Sequence, residues 1–288
     1  MKDVLAVIAY AQGGTFGNGH GVRMGHLAEA LRDLGISVSM HNLADESGPD
    51  EIPVPKEKSV LIYDAPSPDI KMLRGAKRGG MKVAHVVGVG REVTPELLWL
   101  SDLVIYQTGW DAAKENRWAH SFSSLVLAEE PWTEILSGPD YLILDKVYAD
   151  GPATKDVDVA MYFGGGITGD FSEATAKILI GRGLSVGAGP IPSTAMAEMM
   201  RRARYFVGTV GVSMYEALSV GAVPVLIART EDHQISARKM GLRAPLASDV
   251  TPQDLVGRIG TDPPAPKVEI DGLGTWRVAK AVEEVLCR

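Results

Sequence analysis

The sequence is poor in several things at once. It has one cysteine, Cys287, so no internal disulfide can form, and a reducing, cytoplasmic setting is expected. It has no run of about 18 apolar residues, which excludes a membrane-spanning helix by length. The opening stretch MKDVLAVIAYAQGG is interrupted by Asp3 and runs into glycines rather than a cleavage site. It reads as a buried strand, not a leader. Positive charge is also in deficit: 29 Lys and Arg stand against 36 Asp and Glu, a net charge of −7. A general nucleic-acid surface and a strongly basic membrane patch are therefore not expected. Aromatic residues make up only 6% of the 288 positions, and there is no short-period repeat or low-complexity segment.

What is present is glycine, 32 residues of it, and a repeated alternation of short apolar runs with helical periodicity. Strands are expected at 4–10, 37–42, 60–64, 82–88 and 103–107. Helices are expected at 22–34, 69–78 and 95–100. Leu27, Ala30, Leu31 and Leu34 repeat along one face of the first helix, and Gly35 stops it. The polar stretch DKVYADGPATKD then reads as a linker, after which the pattern restarts. Strands fall at 157–163, 184–187, 205–208 and 224–227, and helices at 171–181, 195–204 and 213–220. A further helix is expected from Val278, Ala281, Val282 and Val285. Two successive βαβ series imply an α/β protein of two doubly wound, Rossmann-like domains facing a cleft, about 1–150 and 151–288.

Three glycine-rich stretches lie where such folds bind ligands, after the carboxyl ends of strands. The first, 13–21, carries five glycines beside His20. It lacks the third glycine of a dinucleotide fingerprint and the Lys-Ser/Thr end of a P-loop. His20 is placed either to move a proton or to cap the following helix. Arg23, three residues on, either binds an anion or is solvated, and His26 reads as structural. The second stretch, FGGGITGD, matches G-x-G-x-x-G at Gly164, Gly166 and Gly169. No acidic residue follows about 20 positions later, so a nicotinamide cofactor is not expected. The third, FVGTVGVSMYEALSVGAVPVLIARTEDHQ, sets Thr209, Gly211 and Ser213 at a helix start suited to phosphate. Glu216, read onto the first turn of that helix, either accepts hydrogen bonds from sugar hydroxyls or complements the helix dipole. His233 and Gln234 are read into the next loop. No acidic pair at metal-ligand spacing stands out, the Glu231–His233 triplet is a weak cluster, and no metal or other cofactor is expected.

The third stretch resembles the nucleotide-binding signature of GT-B glycosyltransferases. That resemblance implies ribose contacts from Glu216 and phosphate contacts around Thr209, Gly211, Ser213 and Met214. The loop Gly17-Asn18-Gly19-His20-Gly21-Val22-Arg23 resembles the GxGHxxR loop of the UDP-sugar hydrolases of pseudaminic acid synthesis and of some related transferases. SGPDYLILDKVY and DGLGTWRVAKAV, with Asp271, Gly272, Gly274 and Arg277, are similar to segments of the same hydrolases. In this fold the last helix often returns to the first domain. Asp64 matches the hydrolases, but where they tend to carry paired aspartates this chain reads KVAHVVGVGRE, with His85.

The resemblance implies a UDP-sugar enzyme. The nucleotide would lie against Gly164, Gly165, Gly166 and residues 209–213, with Glu216, His233 and Gln234 nearby. Gly17 and Gly19 would thin the opposite wall, His20 would act as general base, and Arg23 and Asp64 are counted with it as catalytic residues. The attacking oxygen belongs to water in a hydrolase or to an acceptor hydroxyl in a transferase. A soluble acceptor is expected, since no exposed basic amphipathic helix is evident in the sequence. A non-catalytic nucleotide-sugar sensor is a third possibility of a different class.

Overall fold

The computed structural model describes residues 4–12, 19–44, 58–91, 93–116, 133–164, 167–188, 193–261 and 268–288. The chain divides into two compact units, Met1–Ile143 with Gly274–Arg288, and Leu144–Leu273. The first begins with β1 (Leu5–Tyr10), α1 (Gly19–Asp33), β2 (Ser37–Asn42), β3 (Ser59–Asp64) and α2 (Ile70–Arg78). It continues with β4 (Lys82–Val87), α3 (Pro95–Leu100), β5 (Leu103–Tyr106) and β6 (Glu134–Leu136). Its strands lie in the order β2-β1-β3-β4-β5-β6, all parallel. Every residue of β3 is buried, as a parallel strand covered on both faces requires.

The second unit holds β7 (Val157–Tyr162), α4 (Gly169–Gly181), β8 (Val186–Ala188), α5 (Ser193–Arg202), β9 (Ala203–Thr209) and α6 (Val212–Ser219). β10 (Val223–Ile227), α7 (Glu231–Lys239) and α8 (Pro252–Gly257) complete it, and the order β10-β9-β7-β8 is again parallel. The last helix, α9 (Gly274–Cys287), belongs to the first unit and packs against α1. Val278, Val282 and Val285 join Ile8, Leu27, Leu31 and Ile62 in one core. Leu73 of α2 and Leu97 of α3 cover the opposite face of the sheet, over Val7, Leu61 and Val104. Gly274 sits so close to the backbone of Leu142 that a Cβ there would overlap it.

Both sheets place a topological switch point where the glycine-rich stretches leave them. In the first, the chain moves from β1 outward to β2 and returns to β3 on the other side of β1. Tyr10 and Asp64 are register partners at the carboxyl end of that pair. In the second, β8 and β9 flank β7, and Tyr162 pairs with Gly208. Ligands of open α/β sheets sit at such points, because helices departing to opposite faces leave a crevice.

Four local expectations are corrected. Helix α1 starts at Gly19 rather than 22, because Gly21 leaves room for Gln12 and the Tyr10 ring against the helix's first turn. His233 and Gln234 lie on the first turn of α7, not in a loop: the Thr230 hydroxyl caps that turn by accepting from the His233 amide at 3.3 Å. The segment read as a linker contains a 3-10 turn, Lys146–Asp150, that buries Tyr148. A basic amphipathic helix is present after all. Leu73 and Ala76 of α2 face the core while Lys71, Arg74 and Arg78 point outward.

Candidate functional site

In the first unit, helical spacing and the switch point build one cluster. His20 and Arg23 stand three apart on the first turns of α1, so both project from the same face. Asp64 ends the neighbouring strand β3 with no exposure at all. Its carboxylate accepts from Arg23 Nε at 2.6 Å and also from Arg23 Nη2. His20 Nδ1 lies 2.8 Å from Asp64 Oδ1 and 2.9 Å from Arg23 Nη2. Burial alone would push the Asp64 carboxyl up. The Arg23 charge, with hydrogen bonds from His20 and Arg23, outweighs burial and holds it below its ordinary value. Asp64 is therefore an ionised acceptor. The imidazole tautomer that satisfies it carries the proton on Nδ1 and leaves Nε2 bare as a base. The side chain of His20 keeps 18% exposure, enough for Nε2 to meet a substrate. Gly19 opens the helix where an added Cβ would meet none of the described residues within 4 Å, and Gly17 lies outside the described residues.

His85, where the hydrolases tend to carry an aspartate, is buried on β4 with its ring edge-on to Tyr63 at 5.8 Å. Burial lowers its pKa to about 4 against the opposing pull of Asp64. The position beside Asp64 is thus neutral, and it adds no second carboxylate to compete for Arg23.

In the second unit, Thr209 and Gly164 meet at the switch point. The Thr209 hydroxyl donates to the Phe163 carbonyl at 3.0 Å, and Gly164 adopts φ +62°, a conformation that favours glycine. Gly165 and Gly166 lie outside the described residues. Helices α4 and α6 both begin here, and neither receives a side-chain cap: Thr168 and Gly211 hold the cap positions without one. Elsewhere α2, α3, α7 and α8 are capped by Asp69, Thr94, Thr230 and Thr251. First-turn amides that no side chain caps are donors open to a ligand unless a backbone carbonyl takes them, and the positive end of the dipole favours an anion. Met214 is fully buried and its amide is bonded to the Gly211 carbonyl. His233 and Gln234 stand on α7, which follows the next strand outward, β10. Burial and the Arg229 charge lower the His233 pKa.

Glu216 is the fifth residue of α6, one position further in than expected and just past the first turn. It is buried, 8% exposed. Burial raises its pKa to about 7, the nearby Asp145 charge adds to the rise, and hydrogen bonds with Ser213 and Tyr148 oppose it. Tyr148 is itself pushed well above its ordinary value by burial, then by Glu216 and Asp145. Tyr148 and Asp145 were missed in the sequence reading. The signal was an aromatic residue inside a stretch otherwise polar enough for a linker. Among the described residues no group of three His, Cys, Asp or Glu side chains is placed to hold a metal ion.

No protein-family model matches the chain, and no curated protein matches it. Solved structures do. LpCGTa in complex with UDP is 13% identical at a TM-score of 0.52, covering 99% of this chain and 95% of that one. The UDP-GlcNAc 2-epimerase of Methanocaldococcus jannaschii, in complex with UDP-GlcNAc and UDP, is 10% identical at 0.52, covering 97% and 99%. Acinetobacter baumannii MurG is 13% identical at 0.50, covering 98% and 99%. Identities this low speak for the fold. The chain is an α/β protein of the GT-B type, with two Rossmann-like parallel sheets.

Proposed function

We propose that this chain is a nucleotide-sugar enzyme that breaks the glycosyl–phosphate bond and passes the sugar to water. The observation that carries the proposal is the His20–Asp64–Arg23 cluster. It sets an imidazole against a buried carboxylate that an arginine keeps ionised. His20 Nε2 takes a proton from water as its oxygen bonds to the anomeric carbon. The bond from that carbon to the phosphate oxygen breaks, and the nucleoside diphosphate leaves with the electron pair. The second unit binds the leaving group. Amides at the uncapped starts of α4 and α6 face the diphosphate charge, and Glu216 holds the ribose hydroxyls. UDP is the favoured nucleotide, since LpCGTa and the epimerase are both similar to this chain and were solved with it.

Transfer to an acceptor hydroxyl is the second reading. His85 favours it, because it stands where the resembling hydrolases tend to have aspartate, while the same base serves an alcohol as well as water. Incubation of the purified chain with UDP- and dTDP-sugars, without acceptor, separates the two. Free sugar and UDP, both lost in His20→Ala, is the result expected for hydrolysis. UDP binding without turnover moves the assignment to transfer. Absence of nucleotide binding refutes both.

A further inference from the structure

The turn Lys146–Asp150 has no part in the catalytic reading, yet it carries a phenol into the interior of the second unit. Tyr148 is buried, and burial pushes its pKa well above the ordinary value, so the hydroxyl keeps its proton at every working pH. A buried hydroxyl needs an acceptor, and two are within reach. Met200 Sδ, on α5, lies 3.7 Å from the phenol oxygen, and a thioether accepts weakly. The Glu216 carboxylate, on α6, is the other. Glu216 also bonds with Ser213, while the Asp145 charge just ahead of the turn disfavours its ionised form. The remaining titratable groups on the elements around α6 are engaged elsewhere. Arg201 pairs with Asp150 and Glu198, Arg202 with Asp156, and Arg204 of β9 with Asp158. Tyr205 packs into the core beneath α4 and α8, Lys146 is exposed, and β10 carries no titratable group. Tyr215 leaves α6 about 100° around the helix from Glu216.

The carboxylate stands just past the first turn of α6, whose start at Gly211 no side chain caps. We propose that Tyr148 is a positioning residue of the nucleotide site, its hydroxyl turning from Met200 to Glu216 as that carboxylate ionises to receive the ribose hydroxyls. The proposal rests on the nucleotide reading above. In the free chain, burial raises the Glu216 carboxyl to about 7. A protonated carboxyl leaves the phenol hydrogen to Met200. An ionised one has about four lone-pair sites, enough to accept from Tyr148, Ser213 and two ribose hydroxyls together. Each such bond favours the charged form. On binding near neutral pH the carboxyl proton passes to solvent, which the 8% exposure of Glu216 allows. Nucleotide affinity therefore rises with pH as the carboxyl ionises and levels off above that range. Tyr148 sets where the rise occurs.

The test is calorimetric titration of UDP into wild type, Tyr148→Phe, Glu216→Gln and the double variant, from pH 5.5 to 9. Phenylalanine keeps the buried ring and removes only the hydroxyl. The titration of the UDP phosphate itself is common to all four chains and cancels in a ratio of dissociation constants. The ratio of Tyr148→Phe to wild type should be near one at pH 9 and about tenfold at pH 6, as follows when the carboxyl moves up by about one pH unit. In the Glu216→Gln background the same ratio should be flat. A merely structural role would weaken binding alike at every pH. In the free chain, carbon-13 NMR of the Glu216 carboxyl should show the same upward move in Tyr148→Phe. Circular dichroism checks that each variant is folded. A ratio independent of pH, or one that keeps its pH dependence in the Glu216→Gln background, overturns the proposal and leaves the nucleotide reading standing. No UDP binding by wild type at any pH overturns both.

Discussion

Replacing Asp64 by asparagine keeps the shape of the side chain and removes its charge. The consequences can be worked out from its neighbours. Arg23 is only 9% exposed at its side chain and Asp64 not at all, so the guanidinium would remain buried without its counter-charge. Breaking a buried pair in this way costs about 3–5 kcal/mol. For a unit of this size the melting temperature should fall by about 6–20 °C. The pH dependence follows from the lowered carboxyl. The folded protein holds Asp64 ionised below the ordinary value of 3.8, so the unfolded chain binds the proton first as pH falls. The stabilisation is complete above 3.8 and is lost only as pH drops through the lower folded value. Wild type and variant should therefore differ throughout the neutral range and converge in strong acid. Turnover should fall by a factor on the order of 10³–10⁴, because an amide that presents its N–H₂ no longer fixes the Nδ1–H tautomer. Thermal unfolding followed by circular dichroism, alongside nucleotide release, measures both effects. A melting temperature unchanged within about 2 °C at pH 7 would refute the buried-pair argument.

Other consequences are as direct. His20→Ala should lower kcat by a factor on the order of 10²–10⁴ while UDP affinity, read by calorimetry, stays unchanged, since the nucleotide groups are on the second unit. Glu216→Gln should stabilise the free protein. The folded carboxyl ionises near 7 against an ordinary 4.5, so wild-type stability declines as pH rises between those values. The gain should reach about 3 kcal/mol above pH 7 and vanish below 4.5, with UDP binding weakened throughout. Gly274→Ala should cost about 2 kcal/mol or more in urea unfolding, because its Cβ meets the Leu142 backbone, which cannot rotate away.

The parallel sheets were legible because buried strands write continuous apolar runs, as in Val60–Ile62 and Leu103–Ile105. His20, Arg23 and Asp64 were legible one at a time, but their convergence was not. It depends on β3 returning beside β1, a pairing of residues more than 40 positions apart. Tyr148 escaped because its polar neighbours resemble linker composition, and its burial is decided by contacts outside that segment, such as Met200 at 3.7 Å. Glu216 was read as a first-turn charge from a helix start only one residue late, but its burial, which raises its pKa, depends on how α6 packs and left no mark in the local sequence. The basic face of α2 was hidden by the net charge of the whole chain, an average that says nothing of how charge sorts onto one helix.

The return of α9 to the first unit has a consequence for the order of events during synthesis. The second unit is contiguous, Leu144–Leu273, and every residue of its core is synthesised before α9. The first unit starts earlier yet lacks Val278, Val282 and Val285 until the second unit has been made, so part of its core stays open to water in the meantime. Domains usually complete in the order of their translation. Here the later unit can close first, and the earlier one is sealed by a helix made only after the whole of the second unit.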